Sequence, residues 1–144
     1  MTARTLRVDA ELAELARVRQ FIRDAAVDAG APLDCLEDLV QAVDEAATNV
    51  ITHGYEGAPG WIGVSATAEG DDLVVRVEDG ALAFDPTTFP EPDLTIPPLA
   101  RVPGGMGVHL IREAMDFVSY RPRPGGGNIL TLVRSMRPRQ KEAG

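Results

Sequence analysis

With 144 residues, 44% of them hydrophobic and 25% charged, the chain fits a single globular domain with a sizeable core. No apolar run approaches the ~20 residues that span a bilayer, and Met1 to Asp9 lack a secretory pattern, so neither a membrane span nor a secretory signal is expected. One cysteine, Cys35, rules out an internal disulfide and points to a reducing cytoplasm. The net charge of −8 is uneven: Asp34 to Asp93 carry fourteen acids against one base, Arg76, whereas Arg121 to Lys141 carry six bases. That acidic middle argues against direct nucleic-acid binding, and the basic end reads as a solvated terminus or as a contact for an acidic partner.

Leu6 and Val8 alternate with polar neighbours and predict a short opening strand. Leu15, Val18, Ile22, Ala25 and Ala29 recur at helical spacing and predict a helix from about Ala10 to Ala29, stopped by Gly30 and Pro32. Asp34 followed by Glu37 resembles a capping box opening a second helix, which buries Leu39, Val43 and Ala47 and ends near Gly54. Two alternating runs, Ile62 to Ala68 and Leu73 to Val77, predict a hairpin turning at Gly70-Asp71-Asp72. From Gly80 to Gly104 periodicity is lost, and six of the eleven prolines fall there, which predicts a lid over a site. A third helix is expected from Gly107 through Val118, then a strand pair around Phe117–Arg121 and Asn128–Arg134. Residues 135–144 are expected to form a flexible tail. The sum is one α+β domain over 1–144, a two-layer sandwich with helices on one face of a mainly antiparallel sheet.

Glu45, Asn49 and His53 are spaced by four on the second helix and predict a stripe about 12 Å long. Glu45 can act as a general base, and an amide oxygen such as that of Asn49 suits Mg²⁺. The same triplet is also compatible with an ordinary exposed polar stripe. Asp79 stands where a strand runs into the lid and could accept a hydrogen bond from an exocyclic amine; a plain Asp-Gly turn is the alternative. Gly104-Gly105-Met106-Gly107 precedes a helix and could admit a phosphate to backbone N–H groups, or serve only as a hinge. It is neither a dinucleotide fingerprint nor a Walker loop, since Lys141 is the only lysine. Arg101, the only base between Val77 and Ile111, is a candidate phosphate contact or a solvated loop residue.

In this order, the segments DEAATNVITHGYEG (44–57), VEDGALAFDP (77–86) and GGMGVHLIREAMDFVSYRPRPGGGNILTLVR (104–134) resemble the GHKL, or histidine-kinase-like, ATPase superfamily, in its anti-sigma serine-kinase branch. The resemblance implies the Bergerat ATP-binding fold, with ATP and Mg²⁺ as cofactors and residues 80–104 as the ATP lid. It implies that Glu45 is the general base acting on a serine hydroxyl, Asn49 the Mg²⁺ ligand and Asp79 the partner of the adenine amine. Gly105 and Gly107 would let the lid and helix close on the phosphates, and Thr131 would support adenine. His53 lies in the family's HGY string without an assigned role. The implied partners are a STAS-type anti-anti-sigma protein, a sigma factor and a second copy in a homodimer.

One departure stands out: Ala81 occupies a position where the family's first glycine box has glycine. If the glycine there serves a positive φ, or a close approach of backbone to adenine, nucleotide binding would weaken with alanine in its place. Two functions follow. One is a serine kinase that phosphorylates the anti-anti-sigma partner and sequesters a sigma factor. The alternative is a non-catalytic nucleotide-binding switch for protein capture.

Overall fold

Alternating apolar side chains give the sheet one face for a core and one for water. In the computed structural model, which describes residues 3–83, 85 and 105–137, the elements follow in order: β1 (Arg4–Asp9), α1 (Leu15–Asp28), α2 (Leu33–Asn49), β2 (Trp61–Glu69), β3 (Asp72–Asp79), α3 (Gly105–Ala114), β4 (Phe117–Pro122) and β5 (Asn128–Ser135). The strands form one sheet in the order β1-β2-β3-β5-β4, and every neighbouring pair is antiparallel. Leu6 stands opposite Val64, Val64 opposite Val77, and Val77 opposite Leu130. This register lines the apolar residues up on one face, where α1 and α2 bury Val18, Ile22, Leu39 and Val43 against them. The expected α+β sandwich is therefore the observed fold.

Several boundaries differ from those read in the sequence. The first helix begins with a 3₁₀ turn at Leu12–Glu14, and its α portion starts only at Leu15. The capping box does not form, because Pro32 (φ −59°, ψ 156°) sets the boundary and the chain is already helical at Leu33. The third helix stops at Ala114, and Val118 belongs to β4 instead. Between the two elements the Asp116 N–H donates to the Val133 carbonyl at 2.9 Å, which ties the connection to β5.

The start of the expected tail is ordered. Ser135 closes β5, the Met136 N–H donates to the Asp71 carbonyl at 2.7 Å, and Arg137 pairs with the Asp71 carboxylate at 2.7 Å. Residues 138–144 lie outside the described residues. The solvated reading of the basic C-terminal stretch also fails at Arg134, which is 2% exposed and points to the core face at the end of β5. Three carboxylates surround it: Asp38 at 3.1 Å, Asp34 at 3.6 Å and Asp116 at 3.7 Å. Asp34 thus spends its charge on Arg134 rather than on a helix cap. Among the described residues, no helix is long and apolar enough to cross a membrane.

Candidate nucleotide site

The far end of the sheet from Arg134 carries a small cleft, partly open to solvent, where the ends of α2, β3, β4 and β5 meet. Asn49 from α2, Asp79 from the end of β3, Tyr120 from β4 and Asn128 from the start of β5 supply its polar lining. Ala46, Val77, Ile111 and Leu130 supply apolar walls suited to a flat ring. Two residues singled out in the sequence, Asn49 and Asp79, therefore meet in one cavity.

Asn49 is the last α-helical residue of α2, and the chain continues as a π turn, Val50–Gly54. The Tyr55 N–H reaches back five residues to the Val50 carbonyl at 2.8 Å. Such widened turns recur at functional sites because they re-aim the side chains around them. Here the widening breaks the four-residue spacing of the predicted stripe. Glu45 and Asn49 keep it, one helical turn apart, but of the three only Asn49 lines the cleft: Glu45 lies outside the lining, and His53 is exposed and outside it too. Glu45 is half-buried, and burial, with the nearby Asp44 charge second, raises its carboxyl above the usual range.

Asp79 is 3% exposed. Its Oδ1 accepts the Ala81 N–H at 2.9 Å and the Asn128 Nδ2–H at 2.9 Å, which leaves Oδ2 for the cleft. Burial raises its pKa, and the two hydrogen bonds partly oppose that rise. The Tyr55 hydroxyl fixes the neighbouring backbone: it accepts the Gly80 N–H at 2.7 Å and donates to the Trp61 carbonyl at 2.8 Å. Ala81 itself carries no strain. Among the described non-glycine residues only Glu56 has a positive φ. The Ala81 methyl is accommodated by Gly54 opposite, where an added Cβ would stand 3.1 Å from it. The cost expected from a positive φ at this position is absent.

Thr131 does not reach the cleft. It pairs with Arg76 on one side and Ser119 on the other, so it shares their face of the sheet, away from the helices. On β5 the cleft-lining residues are Asn128 and Leu130, an even step from each other and an odd step from Thr131. Counting by twos from the apolar Leu130 and Leu132 would have found Asn128. Tyr120 was also missed, and nothing local in its strand marks it. Gly105 opens α3, and Gly107 lies in that helix's first turn. The lid over 80–104 falls largely outside the described residues, which include only 80–83 and 85 of it, and Arg101 is outside them too. Among the described residues no group of three or more His, Cys, Asp or Glu could hold a metal. The donor chemistry at Asn49 instead fits Mg²⁺ held mainly by phosphate oxygens and water, with the protein adding one neutral oxygen.

A helical layer on an antiparallel sheet, with a carboxylate sunk in a cleft beside an amide on the central helix, defines a nucleotide-binding class. The family described as "Histidine kinase-like ATPase domain" matches residues 8–134. Among similar proteins, an anti-sigma F factor of Clostridium kluyveri is 32% identical over 104 residues, 71% of this chain and 72% of that one. The serine/threonine-protein kinase BtrW of Bordetella bronchiseptica is 33% identical over 106 residues, 69% and 70% of the two chains. The serine-protein kinase RsbW of Bacillus cereus is 28% identical over 130 residues, 88% and 81%. The solved RsbU and RsbW domains of Rv1364c from Mycobacterium tuberculosis superpose with a TM-score of 0.66 at 19% identity, covering 94% of this chain and 32% of that one, which supports the fold. The chain belongs to the histidine kinase-like ATPase family, in its anti-sigma serine-protein kinase branch.

Proposed function

We propose that this chain binds Mg-ATP in the Asn49–Asp79–Asn128 cleft and transfers the γ-phosphoryl group to a serine of a STAS-type anti-anti-sigma protein. Membership of a serine-kinase branch supports the reaction class. The observation that carries the site assignment is the buried Asp79 carboxylate, with one oxygen committed to protein donors and the other left for the cleft. That oxygen is the acceptor an adenine amine requires, and the apolar walls would take the ring faces.

In the proposed step the serine oxygen forms a bond to the γ-phosphorus, the bond from that phosphorus to the bridging oxygen breaks, and ADP leaves. Glu45 takes the serine proton. Its raised pKa brings the base nearer to neutral pH, where proton transfer is most effective. Asn49 would hold Mg²⁺, which when bound offsets phosphate charge. Gly105 and Gly107 would let the α3 N-terminus approach the phosphates, with Arg101 as countercharge. Thr131 has no place in this assignment, and none is given to His53.

Release from the phosphorylated partner and capture of a sigma factor complete the proposed cycle, in a reducing cytoplasm and as a homodimer. The buried free thiol of Cys35 suits that setting. The capture-only switch was motivated by Ala81, whose backbone is unstrained, so the kinase is preferred. Glu45→Ala discriminates between the two. The kinase reading expects phosphoryl transfer to a competent partner to fall by about 10²–10⁴-fold with Mg-ATP affinity retained. Unchanged transfer would remove Glu45 from the mechanism.

A further inference from the structure

Asn128 belongs to none of the three sequence segments' assigned roles, yet it is 6% exposed and sits at the junction of everything that shapes the cleft. Its amide nitrogen donates to Asp79 Oδ1 at 2.9 Å and to the Leu82 carbonyl at 3.0 Å. Its amide oxygen accepts the Tyr120 hydroxyl at 2.7 Å. The Tyr120 bond fixes which end of the amide faces Asp79, because a flipped amide would set oxygen against carboxylate and oxygen against carbonyl. The backbone is fitted to this arrangement as well. Gly127 has φ 113°, and a Cβ added there would lie 2.0 Å from the Asp79 carbonyl oxygen. Only glycine lets β5 begin this close to the end of β3.

We propose that Asn128 is the positioning residue of the nucleotide site: it holds Asp79 with Oδ2 turned to the cleft, and it joins that carboxylate to the root of the 80–104 segment through Leu82. The inference rests on the Mg-ATP reading above. Its consequence is selective. A carboxylate with Oδ1 filled by two donors has one acceptor left, so the base that gains is one carrying an exocyclic amine at that edge. Loss of Asn128 frees Asp79 to turn, and the ligand loses the amine contact while its ring and phosphate contacts remain.

The test is a titration of the whole chain with Mg-ATP and with the Mg-triphosphate of purine riboside, which lacks the 6-amino group. In the unaltered chain ATP is expected to bind about 10-fold tighter than the deaminated analogue. Asn128→Ala is expected to weaken ATP about 10-fold and to move the analogue by less than about 2-fold, abolishing the preference. Tyr120→Phe keeps the ring and removes only the hydroxyl, and it is expected to narrow the preference about 3-fold in the same sense. It supplies the answer if Asn128→Ala does not fold. Equal weakening of both nucleotides, or an unchanged preference in both variants, would overturn the positioning role. If the unaltered chain bound neither nucleotide, the Mg-ATP reading would fall first and the proposal with it.

Discussion

The two ends of the sheet each bury a charged side chain on the face that meets the helices, and they treat it in opposite ways. Arg134 at the end of β5 is ringed by Asp34, Asp38 and Asp116, so its charge is matched several times over. Asp79 at the end of β3 meets only neutral donors, an amide and a backbone N–H, and burial raises its pKa. A buried charge left without a counter-ion is costly unless a ligand completes it. The Arg134 end is finished by the protein alone, and the Asp79 end is built to be finished by something else. The contrast separates structure from site more sharply than burial or polarity does, since both residues are buried and hydrogen-bonded.

The largest effect should come from breaking the completed end. Arg134→Ala empties a packed position and leaves three partly solvated carboxylates facing one another across α2 and the α3–β4 connection, and it should cost about 2–3 kcal/mol in denaturant unfolding. Mg-ATP affinity of the folded protein should stay unchanged, because the cluster lies at the opposite end of the sheet. A large loss of affinity in a folded Arg134→Ala protein would merge the two ends and void the contrast.

An intermediate effect should come from pH. The carboxyl groups of Glu45 and Asp79 have raised values in the folded chain. Their contribution to stability is therefore fully present below the unfolded carboxylate range and is lost as pH rises through the folded values. Acidification from neutral pH should return stability through these two groups while weakening Mg-ATP, since a protonated Asp79 is the poorer acceptor. Melts and titrations at stepped pH, run beside Asp79→Asn, isolate the Asp79 part. If the unaltered chain and the variant showed the same pH dependence, Asp79 would not be the group responsible.

The smallest effect should come from Ala81→Gly. With no positive φ to relieve, the substitution should change stability by less than about 1 kcal/mol and Mg-ATP affinity by less than about 2-fold. A marked gain in affinity on titration would show that the alanine does hinder the nucleotide.

Much of this architecture was legible in the sequence. The alternation in Ile62 to Ala68 and Leu73 to Val77 yields the central hairpin, and helical spacing yields α1 and α2. Asn49 could be named from its four-residue spacing with Glu45 on a predicted helix, and Asp79 because it stands where the alternation of a strand runs out. What stayed hidden depends on geometry that spacing does not carry. A π turn after Asn49 displaced His53 from a stripe drawn at four-residue steps. The side of β5 occupied by Thr131 depends on a parity that a local motif does not record. The match between Arg134 and three acids joins residues up to 100 positions apart (134 − 34), so the basic C-terminal stretch looked solvated. The capping box failed because Pro32 had already set the helix start.

The most direct measurement is a calorimetric titration of Mg-ATP into the unaltered chain and into Asp79→Asn, with the fold of each verified by its melt. The account predicts saturable binding to the unaltered chain and affinity at least about 10-fold weaker in the variant, with stability equal or higher because a costly buried charge has gone. Equal Mg-ATP affinity in the two proteins would contradict it.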